Sequence, residues 1–254
     1  MRFAEELELV PYHTAFPPGR RWLVLAPHPD DETFGLGATL AQAGRRGVSL
    51  RVVALTGGEA QGESPVRRAE AQAALHILGV PDGAFWDFED RKLGACVAGL
   101  ARAVRQELAS FRPEVVFAPH AADLHPDHRA CARALQLALR WQLLFGWRKA
   151  LPAWVAFYEI GIPLWPNLLV NADEGWGAKE KAFACYASQL SVRPYHRVMA
   201  GLAAFRALTV EGTSYVEAFQ LHPARRVAAH SWRWLARRAL GPLPPAVLAP
   251  EMPR

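Results

Sequence analysis

The chain has 254 residues, which is enough for one large α/β domain or two small ones. Hydrophobic residues make up 51% of it, yet no stretch reaches the roughly 18 consecutive apolar residues that cross a bilayer, and the acidic N-terminus MRFAEELELVPY lacks the apolar core of a secretion signal. The formal net charge of +5 is concentrated in residues 221–254, which excludes a nucleic-acid-binding surface spread over the whole chain.

Apolar runs alternate with helical patterns along the chain. Strands are predicted at residues 21–26, 49–56, 83–88, 114–119, 154–160 and 167–172. Helices are predicted at residues 34–47, 65–79, 93–111 and 125–144. This alternation is typical of βαβ units, so we predict an α/β fold, a Rossmann-like three-layer sandwich with a mostly parallel sheet and helices on both faces. We expect one domain over residues 1–220, followed by a basic C-terminal helix and a Pro-rich tail over 221–254.

Two polar clusters follow two of the predicted strands. LAPHPDDE (25–32) ends the first strand, and DLHPDH (123–128) follows the strand at 114–119. In the common doubly wound order 3-2-1-4-5, the first and fourth strands are neighbours, and ligands bind outside their carboxyl ends. We therefore expect the two clusters to face each other across one crevice.

The residue types in these clusters are those of a catalytic metal site. His28, Asp31 and His128 form a set of two histidines and one carboxylate, which suits zinc with one position left for water. Asp30 lies beside a ligand and is a natural general base for that water. His125 lies one helical turn before His128, so one of these histidines can bind the metal while the other meets the substrate.

Each cluster also has a simpler interpretation. Taken alone, HPDD can be a turn and HPDH a capped helix start, but their joint occurrence at two strand ends favours a site. Within the second cluster, Asp127 can accept a hydrogen bond from a histidine and fix its tautomer. A dinucleotide-binding loop is not favoured, because GLG at 35–37 is followed by Leu40 where the third glycine of that motif falls.

These motifs resemble those of a known family. PHPDDE (27–32), TGGE (56–59), RRAEA (67–71) and HPDH (125–128) are similar to segments of the PIG-L/LmbE-like zinc-dependent N-deacetylases, the family of GlcNAc-PI de-N-acetylase. SQL (188–190) and YVEAF (215–219) resemble later family segments more weakly. Members of this family remove acetyl groups from amino sugars, in precursors of glycosylphosphatidylinositol, mycothiol and bacillithiol and in glycopeptide antibiotics.

The resemblance implies a role for each matching residue. The implied zinc ligands are His28, Asp31 and His128. Asp30 is the implied general base, and His125, with Asp127 beside it, is implied to stabilise the oxyanion or to assist the leaving amine. Arg67 is implied to bind substrate, although the adjacent Arg68 leaves the register open.

The implied function is hydrolysis of the acetamide of an N-acetylated amino sugar, such as N-acetylglucosamine, or of its conjugate, with Zn2+ or another divalent metal as cofactor. The alternatives are a zinc hydrolase of another amide or ester, and a non-catalytic module that binds a sugar or a lipid headgroup. The expected partner is a small-molecule substrate, with no nucleic acid and with self-association as an option. The three cysteines are widely spaced and predict no disulfide framework, so we expect a cytoplasmic protein, with membrane association as an alternative.

Other polar residues have weaker assignments. Glu32 is interpreted as a helix-start acid, and Glu159, inside an apolar strand, as either paired structurally or reaching the substrate. Five acids near predicted strand ends are interpreted as solvated loop residues, with lining of the crevice by some of them as the alternative: Glu59, Glu63, Asp87, Glu89 and Asp90. A single helix predicted at 224–240 would place arginines opposite a stripe of Trp232 and Leu235. Membrane contact is one interpretation of this helix; packing on the protein or on another subunit is favoured.

Overall fold

The computed structural model describes residues 15–145 and 150–240, which form a seven-stranded sheet with helices on both faces. The strands are β1 Arg21–Ala26, β2 Ser49–Thr56, β3 Asp82–Phe88, β4 Val115–Pro119, β5 Trp154–Tyr158, β6 Leu168–Asn171 and β7 Val216–Pro223. Strand β4 is buried over its whole length, and β1 is buried except at its first residue. Burial on both faces explains why these strands are continuous apolar runs.

The strand order is β3-β2-β1-β4-β5-β7-β6. β1 pairs in parallel with both β2 and β4, so the predicted neighbours are confirmed. β2–β3 and β4–β5 are also parallel, whereas β7 is antiparallel to β5 and to β6. The first five strands therefore direct their carboxyl ends to one edge, where the predicted site lies.

The helices form two layers, each with its own apolar core. The helices are α1 Asp31–Arg45, α2 Ser64–Ile77, α3 Val97–Phe111, α4 Pro126–Leu144, α5 Asp173–Phe183, α6 Ala187–Leu190, α7 Tyr195–Arg206, α8 Ala224–Ala229 and α9 Trp232–Ala239. One core joins the sheet to α1, α2, α5 and α7, and the other joins it to α3, α4, α8 and α9. The predicted three-layer α/β fold is confirmed.

Strand β7 is absent from the sequence prediction, and so are the helices between residues 173 and 206. β7 hydrogen-bonds to both β5 and β6, and it crosses residue 220, where the first domain was expected to end. Its pairing depends on a chain reversal about 60 residues after β5, which a local pattern does not reveal.

The region predicted as one helix at 224–240 forms two, so that prediction is wrong. Ser231 separates α8 from α9 and caps α9, because its hydroxyl accepts the backbone N–H of Trp234 at 3.2 Å. The apolar side packs on the protein as favoured: Leu235 is 2% exposed, while Arg233 is exposed. The Pro-rich tail, residues 241–254, lies outside the described residues. Within residues 15–145 and 150–240, no helix combines the length and the apolar character needed to cross a membrane.

Candidate active site and metal centre

Two loops at the carboxyl ends of β1 and β4 bring the predicted site residues together. His28 and Asp30 lie in the loop after β1, and Asp31 is the first residue of α1. His125 caps α4, and His128 lies in its first turn. Because β1 and β4 are paired neighbours, residues about 100 positions apart in the sequence share one crevice. All five are buried except His125, which is partly exposed.

His28, Asp31 and His128 present donor atoms at the spacing of metal ligands. Oδ2 of Asp31 lies 3.2 Å from Nδ1 of His28 and 3.3 Å from Nε2 of His128. Ligand atoms around a tetrahedral zinc ion, with bonds of 2.0–2.1 Å, are separated by about 3.3 Å. Both distances match that value, so the carboxylate of Asp31 is spaced from each histidine as metal ligands are.

The electrostatics of the site also fit a cation. The carboxylates buried in this region are Asp30, Asp31, Glu32, Asp90, Asp123 and Asp127. Burial opposes protonation of the histidines, yet neighbouring carboxylates raise the pKa of His28 well above its ordinary value and that of His128 to about 9. Burial likewise opposes ionisation of Asp31, but the two histidines hold its pKa well below the ordinary value. Carboxylates concentrated in this way attract positive charge, which a divalent ion supplies.

Each histidine of the set has a carboxylate at its other ring nitrogen. Nε2 of His28 lies 3.1 Å from Oδ1 of Asp90 and 3.5 Å from Oδ2 of Asp127. Nδ1 of His128 lies 3.1 Å from Oδ1 of Asp123, as an ion pair rather than a well-aligned hydrogen bond. Such carboxylates orient metal-binding histidines and raise their basicity. Asp90 is only 7% exposed, so its interpretation as a solvated loop acid is wrong.

Two sets of donor atoms among the described residues lie close enough together to hold a metal, and neither includes Asp31. In each set the atoms lie within 4.8 Å of one another, and the sets are His28 with His125 and His128, and His28 with Asp90 and Asp127. In the second set the carboxylates already accept the backbone N–H groups of Ala60 at 3.0 Å and of Arg91 at 2.6 Å. These bonds fix the carboxylates on the side of His28 that faces away from Asp31, which suits an orienting role.

Arg67 holds Asp30 within the site. Its Nη2 donates to Oδ2 of Asp30 at 2.8 Å, and its Nη1 donates to the carbonyl oxygen of Gly58 at 2.7 Å. Burial and the Asp31 charge raise the pKa of Asp30 to about 7, although Arg67 acts in the opposite direction. Arg68 instead pairs with Asp87, an exposed residue of β3. Arg67 is therefore the arginine of the RRAEA motif that reaches the site.

His125 lies on the more open side of the crevice. Its Nδ1 accepts the backbone N–H of Asp127 at 3.2 Å, so the neutral ring carries its proton on Nε2. Its ring centroid lies 4.7 Å from that of His28 and 5.0 Å from that of His128. Burial and the charges of these two histidines lower its pKa. His125 is therefore held as a neutral imidazole with a free N–H donor.

Glu32 is a buried hydrogen-bonding group rather than only an acid at a helix start. It is 1% exposed, and its carboxylate accepts the hydroxyl of Tyr186 at 2.6 Å and the backbone N–H of Asp30 at 3.2 Å. Asp30 has φ 158° and ψ −28°, a conformation that non-glycine residues rarely adopt. The contact with Glu32 helps to hold this backbone. Sequence reasoning missed Tyr186, whose signal is its place two residues before the SQL segment.

Glu159 does not reach the other site residues. Its carboxylate pairs with Arg206, and its Oε1 accepts the backbone N–H of Leu164 at 2.8 Å. Of its two interpretations, the contacts support structural pairing. The remaining acids of that group, Glu59, Glu63, Asp87 and Glu89, are exposed as expected, although Asp87 lies within β3 rather than in a loop.

Comparisons with known proteins point to one family. The family model described as PIG-L, GlcNAc-PI de-N-acetylase, matches residues 23–139, a range that contains every predicted site residue. A probable N-acetyl-alpha-D-glucosaminyl L-malate deacetylase 2 of Bacillus anthracis is 33% identical over 135 residues, which cover 47% of this chain and 59% of that protein. An uncharacterized deacetylase, YaiS, of Escherichia coli (strain K12) is 30% identical over 124 residues, covering 46% of this chain and 67% of that protein.

A solved structure extends the likeness to most of the fold. The conserved protein TT1542 from Thermus thermophilus superposes with a TM-score of 0.70 and 33% identity, covering 78% of this chain and 93% of that one. The chain belongs to the PIG-L family. In this PIG-L protein, Tyr186, which donates to Glu32, lies beyond the residues matched by the family model.

Proposed function

We propose that this PIG-L protein is a zinc-dependent N-deacetylase, which hydrolyses the acetamide of an N-acetylated amino sugar or of its conjugate. The observation that carries the proposal is Asp30, a buried carboxylate adjacent to the metal-type set and held by Arg67 at 2.8 Å. A module that only binds sugar needs no such base. Both curated relatives are named as deacetylases, one of them of an N-acetylglucosaminyl conjugate, which supports this substrate class.

The ligand set of the proposal is His28, Asp31 and His128. A zinc ion held there supplies Lewis acidity, which polarises an amide carbonyl and acidifies water. Asp90, Asp123 and Asp127 keep the histidine rings oriented toward it through their other nitrogens.

Asp30 transfers the proton, and His125 stabilises the oxyanion. Asp30, whose pKa is raised to about 7, accepts a proton from the attacking water. As the carbonyl carbon becomes tetrahedral, the Nε2–H of His125 donates to the developing oxyanion, an interaction that typically contributes about 3–4 kcal/mol. The proton on Asp30 then passes to the departing amine. The C–N bond breaks, and the products are acetate and the free amino sugar.

Arg67 has a supporting role in this scheme. Its guanidinium is 3% exposed and is committed to Asp30 and to backbone oxygens, so it fixes the direction of the base. The substrate contact that the family resemblance implies for Arg67 would be made from this buried position.

Replacing Asp30 by Asn tests the assignment of the base. Asp30→Asn keeps the size of the side chain but cannot accept the proton, so we expect acetate release to fall by about 10²–10⁴-fold while the zinc content stays the same. Acetate release is measured over a panel of N-acetylglucosamine conjugates with lipid, polyol and peptide aglycones.

The matched control is Asp87→Asn, at an exposed aspartate that pairs with Arg68 outside the site. It should leave both acetate release and zinc content unchanged. Equal turnover by Asp30→Asn and the wild type would remove Asp30 as the base. Turnover only on esters or on unrelated amides would favour the alternative zinc hydrolase.

A further inference from the structure

Basic charge is segregated to one side of the sheet. Helices α3, α4, α8 and α9, which cover one face, contain ten arginines and no lysine. Their two acids, Glu107 and Asp127, are 8% and 0% exposed. Helices α1, α2, α5 and α7, on the other face, contain seven basic and six acidic residues. We call the outer surface of α3, α4, α8 and α9 the arginine face.

Six exposed arginines of this face form no ion pair with a carboxylate of the described residues. Exposed members include Arg102, Arg133, Arg225, Arg226, Arg233 and Arg237. Among the described residues, no carboxylate forms an ion pair with any of these six. Two arginines of the face lie over aromatic rings instead: the guanidinium of Arg133 is 5.5 Å from the ring centroid of Trp232, and that of Arg238 is 5.5 Å from that of Trp234. The positive charge of this layer is therefore directed to solvent.

Exposed apolar side chains lie at the C-terminal ends of two of these helices, α4 and α9. Leu144 and Phe145, at the end of α4, are 71% and 64% exposed. Leu240, directly after α9, is 58% exposed. Trp232 and Trp234, in the first turn of α9, are half-buried. Arginines interspersed with aliphatic and tryptophan side chains suit an interface that is anionic outside and apolar beneath.

We propose that the arginine face docks on an anionic lipid bilayer. Uncompensated arginines attract phosphate headgroups, and Leu144, Phe145 and Leu240 can enter the boundary between headgroups and acyl chains. A nucleic acid would satisfy the arginines but would leave these aliphatic side chains in water. The face borders the active-site edge, because α4 begins beside His128 and the backbone N–H of Trp165, in the loop after β5, donates to the Ala239 carbonyl at 2.8 Å.

Vesicle binding tests the proposal without reference to turnover. The full chain is sedimented with phosphatidylcholine vesicles, either alone or mixed with phosphatidylglycerol. We expect binding only to the mixed vesicles, and we expect it to weaken as ionic strength rises. The triple variant Arg225→Gln/Arg233→Gln/Arg237→Gln should bind about 100-fold more weakly, since each arginine near an anionic surface contributes about fivefold. These arginines are exposed and lie outside the active site, so thermal unfolding and acetate release from a soluble substrate should match the wild type.

The matched control is Arg20→Gln/Arg193→Gln/Arg197→Gln, which removes three exposed arginines outside the arginine face and should bind vesicles like the wild type. Leu144→Ser/Leu240→Ser should weaken vesicle binding but not binding to duplex DNA. Equal loss in the two triple variants, equal binding to neutral vesicles, or binding to DNA but not to anionic vesicles would each overturn the proposal. Failure of the deacetylase assay would leave the vesicle result unaffected.

Discussion

His28 and His128 are each oriented by a carboxylate, one distant in the sequence and one nearby. Asp123 lies five residues before His128, whereas Asp90 lies 62 residues after His28, yet both carboxylates contact a ring nitrogen at 3.1 Å. A carboxylate in this position raises the basicity of a histidine and holds its ring in one orientation. The strength of metal binding should therefore depend on residues that do not touch the ion.

Two variants separate ligand loss from ligand misorientation. His128→Ala removes a proposed ligand, so the purified protein should lose most of its zinc, as measured by elemental analysis. Asp123→Asn keeps the ligand but weakens the contact with Nδ1, so zinc affinity should fall by about 10–100-fold in a chelator competition.

Glu89→Gln is the control for both variants, because Glu89 is an exposed acid paired with Lys92. It should retain the zinc content and affinity of the wild type. Full metal content in His128→Ala would contradict the ligand assignment.

Helix α1 carries Asp31 and is interrupted one turn after it. Leu36 has φ −144° and ψ 23°, so the N–H of Ala38 donates to Glu217 at 3.0 Å rather than continuing the helix. The carbonyl of Phe34, which loses that donor, accepts Nζ of Lys179 at 2.8 Å. Lys179 and Glu217 contact each other at 2.6 Å, so a buried ion pair satisfies both the donor and the acceptor of the broken hydrogen bond of α1.

The GLG segment is part of the same feature. A Cβ atom on Gly35 would lie 2.4 Å from the Tyr158 ring, so only glycine allows α1 to approach β5 this closely. The segment, which lacks the third glycine of a dinucleotide-binding loop, allows α1 to pack closely beside the site.

Breaking the Lys179–Glu217 pair should destabilise the protein. Glu217→Gln leaves the Lys179 ammonium buried, at 1% exposed, without a countercharge, so we expect a loss of about 3–5 kcal/mol in the free energy of unfolding. Adding Lys179→Met should restore part of this loss, because the uncompensated charge is then gone. Denaturant unfolding of the two single variants and the double variant gives the coupling energy.

The exposed pair Glu89–Lys92 is the comparison for this cycle. Surface pairs contribute between 0 and about 1 kcal/mol, so Glu89→Gln should change stability little. Similar losses in the free energy of unfolding at the two pairs would show that burial does not make the Lys179–Glu217 pair more costly to break.

Stability of the whole molecule should depend on pH through His222. This residue of β7 is 8% exposed and lies between the rings of Phe157 and Trp234. Burial, followed by the charges of Arg238 and Arg226, lowers its pKa from 6.5 to about 4. Between these two pH values the unfolded chain binds a proton at His222 that the folded protein does not bind. The contribution of His222 to the free energy of unfolding is therefore fully present above pH 6.5 and is lost as the pH decreases toward 4.

The expected size of this loss is at most about 3 kcal/mol, since one pKa unit corresponds to about 1.4 kcal/mol. The variant His222→Leu removes the titrating group and should flatten the decrease in unfolding free energy between pH 6.5 and 4 relative to the wild type. His76→Leu, at an exposed histidine of α2, should keep the wild-type pH profile. A His222→Leu profile parallel to the wild type would exclude this contribution.

Sequence patterns predicted much of the fold and of the site. Strands buried on both faces are continuous apolar runs, so β1, β2 and β4 are visible without the structure. The expected adjacency of β1 and β4 then placed HPDD and HPDH in one crevice. The sequence patterns were less informative where an element depends on distant partners or on a cap. Strand β7 pairs between two strands that precede it in the chain, so its own residues do not reveal it. Ser231 caps α9 and so divides a region whose pattern looks like one helix.

The sequence by itself indicated which residues are candidates for chemistry, because histidines and carboxylates clustered after buried strands have few structural uses. Only the tertiary structure decided which groups support them. Asp90 reaches His28, Tyr186 reaches Glu32 across 154 positions, and Glu217 reaches α1 across 179 positions. A side chain's burial and partner are set by how distant segments pack, whereas the nature of a ligand is set by its own atoms. This is why Asp90 looked solvated in the sequence and is buried against a histidine in the fold.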